Sequence, residues 1–530
     1  MRTFTSYGSI DKELNYYAPR NGLIEKAYCR LIGEKMEKGG HYITVWASRQ
    51  TGKTWIMQQV VKKVREQDDF EVAIITMQSA KTVETDKGVL RVLVKKMEQW
   101  FDRRLPEIDS WDNLEDLFSN KLFEKPLILI LDEFDALKED FINKFANGFR
   151  DMYIGRQNEA DKPSDKKNCM LHGLALICIR SVLGIENVSG SPFNVQRSVH
   201  IPNLTCDEVA GLFKDYEKES GQKIETGVVE KLFCETRGQP GLTCWLGELL
   251  TETYNKKTSE PIRMRNFEIV SAAAIKALPN NNILNIISKA NKEPFKSVVL
   301  DLFRTEKKTE FSYDDSLLNY LYQNGVIDRE TENEIDYYAR FASPFVQKRL
   351  FNYFARELFR YPGKTSMPFD DLSNVITRDM INVKNLMRRY EIYLKENRGW
   401  MLKDAPKRKD MRIFEAVYHF NLYRYLYDFL DNRHGRVWPE FPTGNGKVDL
   451  IIQYAGLIYA MELKSFTDEI GYEEALLQAA SYGKQLNLAE VSLVFFLEYI
   501  DDANREKFEK EYNDKETGVR VIPVFVETGN

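Results

Sequence analysis

The chain has 530 residues, of which 43% are hydrophobic and 29% charged, and its formal net charge is -5. This length is too great for one hydrophobic core, so we expect three or four domains of ordinary size. The composition excludes a largely disordered chain, and the negative net charge means that any nucleic acid must bind to local basic surface.

The six cysteines are scattered without a Cys-x-x-Cys pair, and only five histidines are present. Neither a disulfide framework nor a zinc site is predicted, and a reducing compartment fits this usage best. The N-terminus lacks an apolar targeting segment, and the longest apolar stretch, residues 171–185, contains His172 and Arg180. We therefore expect a cytoplasmic protein without a membrane span.

The first third of the chain alternates apolar runs with helical spacing, for example over residues 55–65. This alternation predicts an α/β fold with a doubly wound parallel sheet, whose ligand lies at the carboxyl ends of the strands. Residues 156–167 are polar and aperiodic, which predicts an exposed loop. Four apolar runs predict buried strands, at residues 42–47, 71–77, 126–131 and 174–179.

The first predicted strand runs into a loop suited to phosphate. Backbone N–H groups of such a loop surround a phosphate at a helix N-terminus, while lysine adds charge and threonine ligates Mg²⁺. Ala47 replaces the usual first glycine and adds a Cβ near the phosphates, which bears more on turnover than on binding. The residues assigned to nucleotide binding are Arg49, Gln50, Thr51, Gly52, Lys53 and Thr54, with Thr54 also as a magnesium ligand.

A pair of carboxylate residues follows the apolar run at residues 126–131. Asp132 is predicted to hold Mg²⁺ through water, and Glu133 to orient or deprotonate the water that attacks the γ-phosphate. ATP hydrolysis and slow or absent turnover both stay open at this point.

These residues resemble AAA-like P-loop ATPases of the STAND and archaeal-ATPase type, over roughly residues 1–350. The resemblance implies ATP, a helical lid, often a winged helix, and a nucleotide-dependent homo-oligomer. By the same analogy Arg180 or Ser181 would occupy a sensor position. The similar pieces are Tyr16-Tyr17-Ala18-Pro19-Arg20, the phosphate loop with its Arg49-Gln50-Thr51 core, Leu131-Asp132-Glu133, Ser191-Pro192-Phe193-Asn194 and Gly238-Gln239-Pro240.

The middle of the chain is mainly helical. Residues 205–276 predict the lid, and residues 282–353 predict short helices followed by a hairpin, which is compatible with a winged helix. Residues 384–412 hold ten basic and four acidic residues, concentrated in Lys407, Arg408 and Lys409. Two interpretations of this stretch stay open: a solvated linker and a surface that DNA approaches.

The C-terminal region carries a second set of charged residues on apolar strands. Residues 446–454 and 457–465 predict two strands about an Ala455-Gly456 turn, and a helix over residues 469–486 follows. Glu462 and Lys464 are two residues apart and share one strand face, and the turn brings Asp449 beside them. Phosphodiester hydrolysis needs a divalent cation, carboxylates to hold it and a cation to position water, so these three residues predict a nuclease site.

This arrangement resembles the PD-(D/E)XK nuclease superfamily over residues 406–530. The resemblance implies Asp449 and Glu462 as Mg²⁺ ligands, with Mn²⁺ as an alternative ion, and Lys464 as a catalytic residue. It adds Glu415 as a further carboxylate, and Gln478 and Tyr482 as supporting residues. DNA is the expected substrate and RNA the alternative.

The predicted order is an AAA-like P-loop core (1–204), a helical lid (205–278), a winged-helix-like region (279–362), a basic helical linker (363–405) and a nuclease-like α/β domain (406–530). The leading hypothesis is an ATP-regulated, Mg²⁺-dependent DNA nuclease of the defence or mobile-element kind, gated by DNA or a protein trigger. One alternative is a non-catalytic STAND-like ATP switch that binds DNA or protein through an inactive nuclease-like domain. Another is a DNA loader or translocase whose reading helix spans residues 316–322.

Overall fold

In a computed structural model, the chain forms two compact units, Met1–Ser271 and Ala272–Asn530. This division is coarser than the five predicted regions, whose inner boundaries stay a prediction. Within the described ranges, no helix combines the length and hydrophobicity needed to cross a lipid bilayer. The structure describes residues 1–8, 10–178, 197–303, 308–367, 369–409, 413–440 and 448–529.

The first unit contains a five-stranded, all-parallel sheet with the order β2-β3-β4-β1-β5. The predicted α/β fold with a parallel sheet is confirmed, whereas β5 was not predicted. Its strands are β1 (Tyr42–Trp46), β2 (Glu71–Thr76), β3 (Leu127–Asp132), β4 (Leu171–Cys178) and β5 (Arg197–His200), and its flanking helices are α1 (Asn21–Ile32), α2 (Lys53–Arg65), α3 (Asp86–Phe101) and α4 (Glu139–Asn158).

Helices cover both faces of this sheet because successive strand residues point to opposite sides. Leu129 and Leu131 of β3 belong to one apolar cluster, which includes residues of α3 and α4. Ile128 and Ile130 belong to a second cluster, which includes residues of α1 and α2. The strands are therefore buried on both sides, and polar side chains are left to the strand ends.

The prediction of an exposed loop over residues 156–167 is wrong in part. Arg156 lies in the last turn of α4 and is buried, and its guanidinium Nη2 donates to Ser164 Oγ at 2.5 Å. Lys167 is also buried and donates to the Arg156 carbonyl at 2.7 Å. The polar composition serves buried hydrogen bonds here, which a local pattern cannot distinguish from solvent exposure.

Four helices correspond to the predicted lid region, and the last of them crosses the boundary between the two units at Ser271. The first begins with a capping box, in which Thr205 Oγ1 accepts from the Glu208 amide and the Glu208 carboxylate accepts from the Thr205 amide. Pro240 begins another, as expected for a residue that lacks an N–H group. The helices are α5 (Cys206–Ser220), α6 (Thr226–Thr236), α7 (Pro240–Glu248) and α8 (Met264–Lys276).

The second unit starts with helices and an antiparallel two-stranded hairpin. The segment predicted to be a basic helical linker contains a helix, α13, over much of the basic stretch. The elements are α9 (Asn281–Ala290), α10 (Phe295–Leu302), α11 (Ser316–Gln323), β6 (Ile327–Glu332), β7 (Asp336–Phe341), α12 (Pro344–Leu358) and α13 (Val383–Met401).

The rest of the second unit is a six-stranded mixed sheet with the order β12-β13-β11-β10-β9-β8. Strands β10, β11 and β13 are parallel, and β8 and β9 run antiparallel to their neighbours. Ala455 and Gly456 both have positive φ, as a tight hairpin turn between β9 and β10 requires. The elements are α14 (Glu415–Asp431), β8 (Arg436–Glu440), β9 (Val448–Tyr454), β10 (Leu457–Ser465), α15 (Glu469–Gln485), β11 (Glu490–Leu497), α16 (Asp502–Phe508), β12 (Tyr512–Asn513) and β13 (Arg520–Glu527).

Candidate functional site

The phosphate loop joins β1 to α2, as its sequence predicts, and we call its surroundings the P-loop site. Lys53 Nζ donates to the carbonyl oxygens of Ala47 and Ser48 at 2.8 and 2.7 Å. The Ala47 side chain is buried in the apolar cluster that contains Val45 and Ile56. Its methyl group is therefore packed in the core.

Thr54 and Asp132 meet at the carboxyl ends of the strands. Thr54 Oγ1 donates to Asp132 Oδ2 at 2.7 Å, and the Glu133 amide donates to Asp132 Oδ1 at 2.8 Å. Burial raises the pKa of Asp132, and burial lowers the pKa of Lys53 to about 8. A hydroxyl and a carboxylate in contact are the oxygen donors that Mg²⁺ prefers, so the residues present fit this ion.

Glu133 is held by a residue that the sequence analysis missed. Thr76, the last residue of β2, donates its hydroxyl to Glu133 Oε2 at 2.7 Å. Strand pairing places Thr76 directly opposite Asp132, so the contact follows from the register. A polar residue ending an apolar strand was the available signal.

The lid contacts the phosphate loop through the start of α7. Gln239 Nε2 donates to the Arg49 carbonyl at 2.9 Å, and the Gly241 amide donates to the Gln50 carbonyl at 3.0 Å. A Cβ at Gly241 would lie 2.5 Å from Gln50 Oε1, so this approach requires glycine. Together with the Lys53 bonds, these contacts engage the carbonyls of residues 47–50, which would otherwise repel a phosphate.

A small apolar cleft adjoins the turn at Thr51 and Gly52. Tyr17 and Trp55 line it with ring centroids 5.7 Å apart, and Leu204 belongs to the same lining. The cleft is apolar, but its volume is about 40 Å³, so a flat aromatic group would enter only after the lining side chains move apart.

The second set of predicted residues meets in the second unit, and we call Glu462, Lys464 and Gln478 the β10 site. Lys464 Nζ lies 3.2 Å from Glu462 Oε1 and donates to Gln478 Oε1 at 2.6 Å. Both charged residues are buried, with 2% of Glu462 and 9% of Lys464 exposed. The predicted shared face is confirmed, and the two charges are not exposed to solvent.

The second oxygen of the Glu462 carboxylate distinguishes this site. Glu462 Oε2 is buried and has no hydrogen-bond partner among the described residues. Leaving a buried carboxylate oxygen unpaired costs free energy, so such an atom points to a ligand of the site. A divalent cation, which takes carboxylate oxygens, fits this donor.

The register brings further carboxylates into line with Glu462. Asp449 on β9 pairs directly with Glu462, although its side chain lies outside what the structure describes. Glu440 on β8 pairs with Asp449 and extends this row to a third strand. Glu440 accepts from Lys348 of α12, at 3.0 and 3.2 Å. The sequence analysis missed Glu440 because β8 was not predicted.

Three further predicted site residues are Glu415, Tyr482 and Arg180. Glu415 begins α14 and lies 3.6 Å from the buried His419, measured from Oε1 to Nε2. Tyr482 is buried in the apolar cluster one turn after Gln478. Arg180 lies outside the described residues. Within the described part of the chain, no group of three or more His, Cys, Asp or Glu side chains is arranged to hold a metal ion.

Comparison with known proteins assigns the first unit. Residues 6–258 match the family model described as "AAA-like domain". Among solved structures, the chain is similar to a Walker-type ATPase of Pyrococcus abyssi, with 14% identity and a TM-score of 0.44 over 66% of this chain and 99% of the other. It is also similar to Cdc6p from Pyrobaculum aerophilum, with 13% identity and a TM-score of 0.36 over 63% and 92%. No curated protein matches the chain.

Proposed function

We propose, from the AAA-like P-loop ATPase domain that residues 6–258 form, that this chain is an ATP-dependent, Mg²⁺-dependent nuclease acting on DNA. The P-loop site would bind and hydrolyse ATP, and the β10 site would hydrolyse phosphodiester bonds. The observation that carries the nuclease half is the buried Glu462 Oε2, which has no partner among the described residues and lies beside the ion-paired Lys464.

The nucleotide half rests on the parts of the P-loop site. Lys53 would place its positive charge on the phosphates, and Thr54 with Asp132 would hold Mg²⁺. Bound Mg²⁺ neutralises phosphate charge in such sites. Glu133 would position the attacking water once it leaves the Thr76 hydroxyl. The cleft lined by Tyr17 and Trp55 would accept the base of the nucleotide.

The nuclease half rests on the free energy that the folded protein loses by burying the two charges of the β10 site. Removing two charges from water costs several kcal/mol per ion, which a single ion pair repays only with excellent geometry. Here one carboxylate oxygen has no partner among the residues that the structure describes, so the pair contributes little to stability. Its position opposite Asp449, with Gln478 orienting the lysine, supports a catalytic use instead.

The residues divide the chemistry in the following way. Glu462 and Asp449 would hold Mg²⁺ or Mn²⁺, which supplies Lewis-acid stabilisation of the scissile phosphate. Lys464, oriented by Gln478, would position the attacking water and offset the charge that develops on the phosphate. Glu415 would add a carboxylate only if α14 brings it to the same cation. RNA would compete as a substrate because the β10 site contains nothing that reads the sugar.

The test is cleavage of supercoiled and linear DNA, and of RNA, with Mg²⁺ or Mn²⁺ and with or without ATP. Wild-type protein should cut, and Lys464→Ala should lose at least about a thousandfold of the rate, as expected for a group acting on the transition state. Lys484→Ala, an exposed lysine on α15, is the matched control and should cut normally. Equal inactivity of wild type and Lys464→Ala under every condition would remove the nuclease proposal.

ATP control is tested separately. Lys53→Ala should abolish any effect of ATP on cleavage while leaving the β10 site intact. Light scattering with and without ATP tests the nucleotide-dependent homo-oligomer, and pull-down with DNA absent tests a protein trigger.

A second candidate is the non-catalytic ATP switch. It is favoured by the absence, among the described residues, of a cluster of three metal-ligating side chains. In that case nucleotide should change the assembly state or DNA affinity of the chain, and no metal should produce cleavage.

A further inference from the structure

A basic cavity opens in the second unit at the end of α13. Its volume is about 470 Å³, and its lining includes Lys395, Arg398, Lys403 and Lys407 together with Glu527. Four positive charges against one negative charge leave a surplus of three. A chain with a net charge of -5 has concentrated positive charge here against its overall balance.

The lysines of this cavity differ in whether they form ion pairs with described residues. Lys395 pairs with Glu527 at 2.9 Å and so has a structural role. Lys403 and Lys407 are exposed, and neither has an ion pair in the described part of the chain. Lys407 is nevertheless positioned, because its backbone pairs with Ile413 in an antiparallel bridge. Positioned cations without partners raise the local potential that attracts an anion.

The cavity lies at the carboxyl ends of the parallel strands, as the β10 site does. Strands β10, β11 and β13 are parallel, and Lys464 pairs with Phe495, which pairs with Phe525. Glu527, in the cavity wall, follows Phe525 by two residues at the carboxyl end of β13. Two strand spacings and two residues of rise separate the backbones of Lys464 and Glu527 by about 12 Å. That distance corresponds to about three nucleotides of one strand.

We infer that the basic cavity binds the phosphate backbone of DNA on one side of the scissile bond. Lys403 and Lys407 make the contacts, and Arg398 and Lys395 contribute to the field around them. The contact is with phosphate charge and carries no base sequence. For its place in the reaction the inference rests on the proposed nuclease function, but backbone binding by itself needs neither metal nor cleavage.

The test is fluorescence anisotropy of the full-length protein with a labelled DNA duplex, in EDTA, over a series of salt concentrations. Lys403→Ala/Lys407→Ala should weaken binding about tenfold or more for every sequence and reduce the salt slope of log affinity by about two. The doubly arginine-substituted variant should bind like wild type, because charge is retained. Lys484→Ala/Lys515→Ala is the control, since both lysines are exposed and lie near the amino ends of β11 and β13.

Three results would overturn the inference: no binding by wild type, equal loss in the two alanine variants, or competition by inorganic phosphate or ATP as effective as competition by unlabelled duplex. The last result would make the cavity a small-anion site. Cleavage assays keep the proposals separate. Wild type that binds DNA through these lysines without cutting removes the nuclease alone, and cutting unaffected by Lys403→Ala/Lys407→Ala removes the cavity alone.

Discussion

The two candidate sites differ in how completely the protein satisfies their polar groups. In the P-loop site, Lys53 bonds to two carbonyls, Thr54 to Asp132 and Glu133 to Thr76. In the β10 site, Glu462 keeps a buried oxygen that has no partner among the described residues. The side chains proposed to act on phosphate or Mg²⁺ in the P-loop site therefore have protein partners that a ligand must displace, although Gln50 Oε1 beside them has none among the described residues, whereas in the β10 site the carboxylate proposed to bind the cation itself keeps such an oxygen.

Two buried histidines repeat this contrast. His172 in β4 has both ring nitrogens hydrogen-bonded, to Ser164 Oγ at 2.7 Å and the Ile32 carbonyl at 2.9 Å. His419 in α14 is fully buried, yet neither of its ring nitrogens is hydrogen-bonded among the described residues. The contrast holds for these two side chains and not for the units as wholes, because His41 Nε2 in the first unit is also buried without a hydrogen-bond partner among the described residues.

The largest expected effect concerns His172. Burial lowers its pKa to about 4, so the folded state keeps it neutral while the unfolded chain protonates it near pH 6.5. Its contribution is complete above pH 6.5 and is lost as the pH falls towards 4, a loss of about 3 kcal/mol. Hydrogen exchange in β4 should show this loss in wild type, and His172→Gln should show a flatter pH dependence. Parallel pH curves for the two proteins would contradict it.

Lys53→Ala removes the positively charged side chain of the P-loop site. The loss of charge-assisted bonds to phosphate should weaken ATP binding about a hundredfold. Calorimetric titration measures this, with Lys62→Ala, an exposed lysine on the same helix, as the control. Unchanged affinity in Lys53→Ala would mean that nucleotide binds elsewhere.

Adding a divalent cation without nucleotide tests whether Glu462 of the β10 site binds a metal ion. Mn²⁺ at ten times its Kd should stabilise the folded protein by about 1.4 kcal/mol, visible as a rise in Tm. Glu462→Gln removes the charge that holds the ion and should remove the rise. An equal shift in both proteins would place the ion at another site.

Thr76→Val tests whether the hydrogen bond between Thr76 and Glu133 limits the proposed ATP hydrolysis. Removing one hydroxyl partner frees Glu133, so ATP turnover should rise about two- to tenfold while nucleotide affinity stays constant. Thr76→Ser retains the hydroxyl and should behave as wild type. Slower turnover in Thr76→Val would indicate that the bond positions Glu133 for catalysis.

Much of the P-loop site could be predicted, because its residues are close in sequence and the fold that joins them recurs. Lys53 and Thr54 were assigned from one loop, and Asp132 from the end of one apolar strand. Thr76 was missed, since only strand pairing reveals that it lies opposite Asp132. Glu462 and Lys464 were predicted to share a face from their spacing alone, and their ion pair confirms it.

Glu440 marks the limit of that reasoning. Its alignment with Asp449 and Glu462 depends on the register of three strands, and β8 is short and weakly patterned. The basic stretch shows the same limit, because its composition left open whether it is a linker or a binding surface. Only the packing of α13 against β13 separated Lys395, which pairs with Glu527, from Lys403 and Lys407, which have no ion pair with any residue that the structure describes.

The sequence by itself determined most of the helices and strands, though not β5 or β8, as well as the phosphate loop and the charged pair on β10, because each depends on periodicity or spacing within a few residues. The tertiary structure alone decided which polar groups are satisfied, which carboxylates stand in a row and where positive charge remains exposed. Those properties depend on residues far apart in sequence, whose contacts arise only when strands take their register and helices pack.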